Sequence, residues 1–211
     1  MNKIIKSFFQ KTIINSVFLL INEVKGEYNL PKNGGYIVAS NHASHIDPFT
    51  IGSIIFKKRG KIVNYLGKKE SLDNIFGRFI YSIFDVIPIK RSSKSKKPIY
   101  RALKVLKKNG IVGIFPEGTR TYDGRINKGK TGIARLIMLS NAPVLPVAIK
   151  NTYELWPRHN KLPKIKRVIR VNIGKPTSFA NNHGKTVSKR LLRSITESIM
   201  ERIAKLYLDM K

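Results

Sequence analysis

Short apolar runs alternate with segments of helical periodicity along most of this chain, and that alternation is what most restricts its fold. The runs at 36–39, 62–65, 86–89, 111–115, 144–149 and 168–173 read as strands. Between them, 48–56, 72–84, 98–108 and 131–140 read as helices, and a closing helix spans about 187–208. Strands that alternate with helices pack as layers, so the expected fold class is α/β: a single layered domain with a mostly parallel central sheet flanked by helices. Pro88 and Pro146 fall inside strand runs, where a residue without an N–H belongs at an edge or a bulge. With 211 residues and no internal repeat, the chain suits one core.

The N-terminus carries an amphipathic helix, assigned to residues 1–25, ahead of a domain over 26–211. Ile4, Ile5, Phe8, Phe9, Ile13, Ile14, Val17, Phe18, Leu20 and Ile21 form its apolar stripe, with Lys3, Lys6 and Lys11 off it. Asn15 and Ser16 interrupt the apolar run, and Asn22-Glu23-Val24-Lys25 offers no small-residue cleavage site, which argues against a signal peptide. A spanning helix needs roughly 20 unbroken apolar residues, and the sequence has no such run. Two readings stay open: a helix packed on the core, or one lying in a membrane interface with its lysines at the headgroups.

Charge narrows the partners. Forty-one Lys and Arg against 12 Asp and Glu give a formal net charge of +29, a field that attracts nucleic acid, anionic membrane, phosphorylated substrates or acidic carrier proteins. There is no cysteine, which removes disulfides, thiol catalysis and thiolate metal sites.

Polar blocks follow two of the apolar strands, where open α/β sheets bind ligands. The first is Asn41-His42-Ala43-Ser44-His45-Ile46-Asp47-Pro48. A turn here can let Asp47 accept the Nδ1 proton of His42, leaving Nε2 as a general base. Asp47 before Pro48 reads equally well as a helix N-cap followed by proline at the first helical position. A metal held by His42, His45 and Asp47 would lack further ligands. The second block is Phe115-Pro116-Glu117-Gly118-Thr119-Arg120. Its proline and glycine suit a type I turn. Arg120 offers a fork suited to phosphate, and Glu117 can hold that guanidinium or meet a substrate hydroxyl. A third stretch, from Gly124 to Thr131, matches the phosphate-loop pattern G-x-x-x-x-G-K-[ST]. That loop requires a strand ending at its first glycine, and here the strand ends at Phe115.

In order and spacing these blocks resemble the glycerolipid acyltransferase family over about residues 26–178. Asn41-His42-x-Ser44-x-x-Asp47 looks like its H-x4-D block, and Val86-Ile87-Pro88-Ile89-Lys90-Arg91 like its second, basic-ended block. Phe115 to Arg120 looks like the third, Pro143-Val144-Leu145-Pro146-Val147-Ala148 like the fourth, and Lys128-Gly129 fits the family's continuation after the third.

The resemblance implies catalytic His42 and Asp47, with Arg91, Glu117, Gly118, Thr119 and Arg120 binding the acceptor's glycerol phosphate. It implies transfer of a fatty acyl chain from acyl-CoA or acyl carrier protein to the sn-2 hydroxyl of 1-acylglycerol-3-phosphate, giving phosphatidic acid. No cofactor, metal or covalent enzyme intermediate is implied. The expected partners are the lysophospholipid acceptor, the thioester donor and an anionic membrane surface, with no nucleic acid. The expected location is the cytoplasmic face of the cell membrane, peripheral or monotopic. Basic segments such as 57–61 and 158–170 can add about 1 kcal/mol per residue near an anionic surface. Another lysolipid, such as an amino-acid lipid, is the alternative acceptor. A basic nucleic-acid-binding module is the alternative class, although RNA-binding aromatic patterns are missing from the sequence.

Overall fold

A computed structural model describes residues 2–69, 75–90, 96–160, 162–182 and 186–210. Its elements in chain order are α1 (Lys3–Phe18), β1 (Ile21–Lys25), β2 (Tyr36–Ser40), α2 (Asp47–Arg59), β3 (Val63–Lys68), α3 (Ile75–Ile83), β4 (Ile87–Ile89), α4 (Lys97–Lys107), β5 (Ile111–Ile114), α5 (Gly132–Ser140), β6 (Val144–Lys150), α6 (Thr152–Leu155), β7 (Ile169–Ile173) and α7 (Lys189–Leu208). The strands make one sheet in the order β1-β7-β6-β2-β5-β3-β4. Only β6 and β7 run antiparallel, so the mostly parallel α/β layering expected from the sequence is present.

Both faces of the sheet are covered, which is why its central strands are apolar throughout rather than alternating. On β2, Tyr36 and Val38 join Ile51, Ile54 and Ile55 of α2 in one core. Ile37 and Ala39 join the other core with Ala102 and Leu106 of α4, Ile133 and Leu136 of α5, and Leu192, Ile195 and Ile199 of α7. The chain thus leaves β2 toward one face through α2, and leaves the neighbouring β5 toward the other through α5. Diverging connections at adjacent carboxyl ends open a crevice there.

The N-terminal segment divides two ways. Ile14 and Val17 are buried, while Ile4, Ile5 and Phe8 are exposed. The second half of α1 therefore packs on the core and the first half leaves apolar surface open. The helix also stops at Phe18, short of the assignment to 1–25, and Ile21–Lys25 becomes an edge strand parallel to β7. Its anchor is Ile21, buried beside Ile169. A five-residue strand directly behind a helix has too short a pattern to separate from the helical stripe.

The prolines fall where no ladder hydrogen bond is needed. Pro88 lies on the edge strand β4. Pro146 lies in central β6, between the Val147↔Ile173 pair and the Val144↔Thr177 bridge. There residues 145–146 face residues 174–176, a local irregularity of the kind that accommodates proline.

Candidate active site

The site is built on the carboxyl ends of β2 and β5. Asn41 ends β2: its side-chain amide donates to the Ile149 carbonyl and accepts from the Ile149 N–H, both at 2.8 Å. This imitates one more backbone pair with β6 and fixes where the next residues turn. Ser44 closes that turn, its hydroxyl donating to the Trp156 carbonyl at 2.7 Å. A fully buried serine hydroxyl held this way supports the loop and is not presented as a nucleophile.

Asp47 is the first residue of α2, and Ile46 takes the N-cap position without a side-chain cap. The N-cap reading of Asp47 therefore does not hold. Its Oδ2 instead accepts backward, from the N–H groups of Ala43 and Ser44 at 2.7 Å each, and lies 2.8 Å from His42 Nδ1. Oδ1 is buried with no hydrogen-bond partner among the described residues. Because Oδ2 already acts as the acceptor for two backbone N–H groups, the tautomer of His42 that this contact favours carries its proton on Nδ1 and leaves Nε2 with its lone pair. The imidazole is stacked on Phe115, ring centroids 3.9 Å apart, and Phe115 is stacked in turn on Tyr65 at 5.6 Å. Gly113 makes room for that stack: a Cβ there would lie 2.3 Å from Tyr65 Cε1.

The second block forms the expected turn, with the Gly118 N–H donating to the Phe115 carbonyl at 2.9 Å. Gly118 has φ +69°, which suits glycine, and Thr119 sits half-buried beside it. Glu117, expected at the acceptor site, is buried and held by backbone N–H groups. Its Oε1 accepts from the His42 N–H at 2.8 Å and its Oε2 from the Asn127 N–H at 2.9 Å. No ion pair joins it to Arg120 among the described residues. The buried carboxylate is a brace between two turns. Burial pushes its pKa up, and the two backbone N–H groups oppose that.

Arg120 is half-buried, its Nη1 enclosed and without a hydrogen-bond partner among the described residues. Burial and then the nearby Arg158 lower its pKa, and Asp47 opposes them. His45 lies against Trp156, centroids 4.9 Å apart. Its pKa is lowered to about 4, by burial first and by Arg120 and His42 next. His45 is therefore neutral near pH 7. Arg91 lies outside the described residues. The 124–131 stretch folds under the second turn: besides Asn127, the Lys130 N–H donates to the Pro116 carbonyl at 2.8 Å. Amides that a phosphate loop would turn toward nucleotide are thus bound within the protein, and β5 ends at Ile114, well before Gly124. Among the described residues no three His, Cys, Asp or Glu are grouped to hold a metal.

Of the residues singled out in sequence, the structure brings His42, Asp47, Glu117, Gly118, Thr119 and Arg120 to one crevice. Phe115 as the imidazole's platform and Arg158 as a second cation were not singled out. Phe115 had a signal in its place at the strand end, whereas Arg158 looked like any other basic residue of 158–170.

The chain is similar in sequence and fold to several known proteins. The sequence profile of the acyltransferase family matches residues 22–150. The chain is 31% identical over 186 residues to the 1-acyl-sn-glycerol-3-phosphate acyltransferase of Bacillus subtilis, covering 87% of each chain. It is 28% identical over 157 residues to the chloroplastic BAT2 enzyme of that name from Brassica napus, covering 73% of this chain and 44% of the plant protein. The crystal structure of the LPA acyltransferase PlsC from Thermotoga maritima has the same fold, with a TM-score of 0.73 at 23% identity, covering 98% of this chain and 82% of that one.

Proposed function

The chain belongs to the acyltransferase family, and from that premise we propose that it moves a fatty acyl chain from a thioester donor, acyl-CoA or acyl carrier protein, to the sn-2 hydroxyl of 1-acylglycerol-3-phosphate, forming phosphatidic acid. The observation that carries this reading is the His42–Asp47 contact of 2.8 Å, beside an arginine, Arg120, whose buried Nη1 has no hydrogen-bond partner among the described residues.

In this mechanism His42 Nε2 removes the acceptor hydroxyl proton as the oxygen attacks the thioester carbonyl. Asp47, acceptor of the Nδ1 proton, stabilises the imidazolium that forms. The tetrahedral intermediate then collapses, the carbon–sulfur bond breaks, and the imidazolium returns its proton to the departing thiolate. Arg120 holds the acceptor's phosphate with charge-assisted hydrogen bonds.

The proposed setting is a membrane surface. No helix among the described residues is long and apolar enough to cross a bilayer. Helices α1 and α3 meet where Phe9 and Phe79 pack edge to face at 5.3 Å, and Ile4, Ile5 and Phe8 of α1 and Ile75 of α3 are exposed. Phe84, just beyond α3, packs on Phe49, two residues after Asp47. The apolar surface thus continues toward the site, and the surrounding lysines suit anionic headgroups.

The test is acyl transfer to 1-acylglycerol-3-phosphate from each donor, by wild type and by His42→Ala. Wild type should produce phosphatidic acid, and His42→Ala should be slower by about 10²- to 10⁴-fold. Equal rates would remove the histidine base. An inert wild type that binds polynucleotides with a steep salt dependence would overturn the assignment.

A further inference from the structure

We propose that Arg158, together with Arg120, forms a two-guanidinium seat for a phosphate monoester dianion beside His42. This rests on the acyltransferase reading for the identity of the ester, and on the structure for the seat. The sequence placed Arg158 among basic residues of the surface, but the fold takes it out of that group. Pro157, just before it, is buried at the end of α6, and its guanidinium lies 4.0 Å from the centroid of the Tyr122 ring. Tyr122 follows Arg120 by two residues, and its carbonyl accepts from the Tyr153 hydroxyl at 2.6 Å. These two contacts tie the loop after β5 to the loop after β6. Trp156 ties the same loop to the catalytic turn, through the Ser44 hydroxyl on its carbonyl and His45 against its ring.

Two cations are thereby held within electrostatic reach of each other. Neither forms an ion pair with an acid among the described residues, and one guanidinium nitrogen of Arg120 is enclosed with no partner. A half-buried like-charge pair destabilises the empty site, and an anion that bridges both guanidinium groups reverses that. Planar forks suit tetrahedral oxyanions, and two forks match the nearly two negative charges of a phosphate monoester at neutral pH. Tyr122, stacked under Arg158, keeps that guanidinium in place while the site is empty.

Arg158→Gln and Arg158→Lys separate this seat from a surface role. Arg158→Gln should raise KM for 1-acylglycerol-3-phosphate about 10- to 100-fold, the loss expected for one charged hydrogen-bonding partner. It should leave KM for the donor and the melting temperature near wild type. Arg158→Lys should recover part of the loss. Unchanged acceptor KM, or a rise confined to the donor, would overturn the proposal. A binding arm needs no turnover: sn-glycerol 3-phosphate should raise the wild-type melting temperature more than glycerol does, and Arg158→Gln should abolish the difference. If wild type acylates nothing yet this difference appears, the substrate reading fails and the phosphate seat stands. If wild type acylates the lipid and Arg158→Gln changes neither measurement, the seat fails and the activity stands. Inorganic phosphate in a parallel titration shows whether the glycerol moiety adds to binding. Stabilisation that depends on neither arginine is nonspecific ion binding and counts against the proposal.

Discussion

Two neighbouring parallel strands, β2 and β5, each end in a turn that carries one buried carboxylate, and the two carboxylates serve opposite purposes. Asp47 gathers three N–H donors onto one oxygen, two from the backbone and one from His42, and leaves its other oxygen without a partner. Glu117 gives one oxygen to each of two backbone N–H groups and touches no catalytic ring. In the proposed mechanism the first acid uses its charge, to hold an imidazole that becomes cationic during turnover. The second needs two acceptor oxygens, to keep the catalytic turn attached to the loop at 127. Both are buried carboxylates, so the arrangement of partners separates them.

Exchanging each acid for its amide separates the two. In Asp47→Asn the amide nitrogen can take the unpartnered Oδ1 position, and the carbonyl can keep all three contacts. The turn should survive while the imidazolium loses its counter-charge, so kcat should fall about 10²- to 10³-fold with the melting temperature nearly unchanged. In Glu117→Gln one N–H must face an amide NH₂ group. That buried mismatch should lower stability by about 1–3 kcal/mol and reduce kcat less than Asp47→Asn does. Paired kinetics and urea unfolding measure both effects. A Glu117→Gln enzyme of normal stability with a raised acceptor KM would break the comparison and return Glu117 to the substrate.

Much of the frame was legible in the sequence, and the reasons can be traced to particular residues. The runs at 36–39, 111–115 and 144–149 are central strands within about a residue of their expected bounds, because continuous apolar runs are what two covered faces demand. The His42–Asp47 pair was legible because both residues lie in one turn. Glu117 was not, because its partner at His42 is 75 residues away, and no local pattern distinguishes a carboxylate bound to an amide from one facing a ligand. Arg158 was hidden for a similar reason: among 41 basic residues, only the fold shows which one is carried to Arg120.

A smaller effect probes how the second strand supports the first. Gly113 of β5 lies under the Tyr65 ring, and an added methyl would come within 2.3 Å of Cε1 and 2.8 Å of Val63 Cγ1. Gly113→Ala should therefore destabilise by about 1–3 kcal/mol through overpacking. Tyr65 stacks on Phe115 and Phe115 on His42, so kcat should fall as well. The double variant Gly113→Ala/Tyr65→Ala should lose less stability than the two single losses added together. Simple additivity would show that β5 takes up the methyl without moving the stack, and that the two strand ends are mechanically independent.

The smallest effect compares two histidines within the first turn. His42 has Asp47 at 2.8 Å. His45, three residues on, has no carboxylate contact among the described residues and feels Arg120, His42 and Arg158 as cationic neighbours, with Asp47 opposing them. Its pKa falls from 6.5 unfolded to about 4 folded, burial being the largest cause. Between those values the unfolded chain binds the extra proton and the folded one does not. Stability therefore rises with pH across about 4 to 6.5 and is lost as pH falls through that window. Partial exposure screens the charges, so the share belonging to His45 should be about 1–2 kcal/mol. His45→Phe keeps a ring against Trp156 and removes the titration. Urea unfolding of both proteins at pH 7, 6, 5 and 4.5 should show wild type losing ground to the variant as pH drops. A difference that stays constant with pH would mean that neither burial nor the nearby cations shift His45, and would weaken the picture of an enclosed, positively charged site.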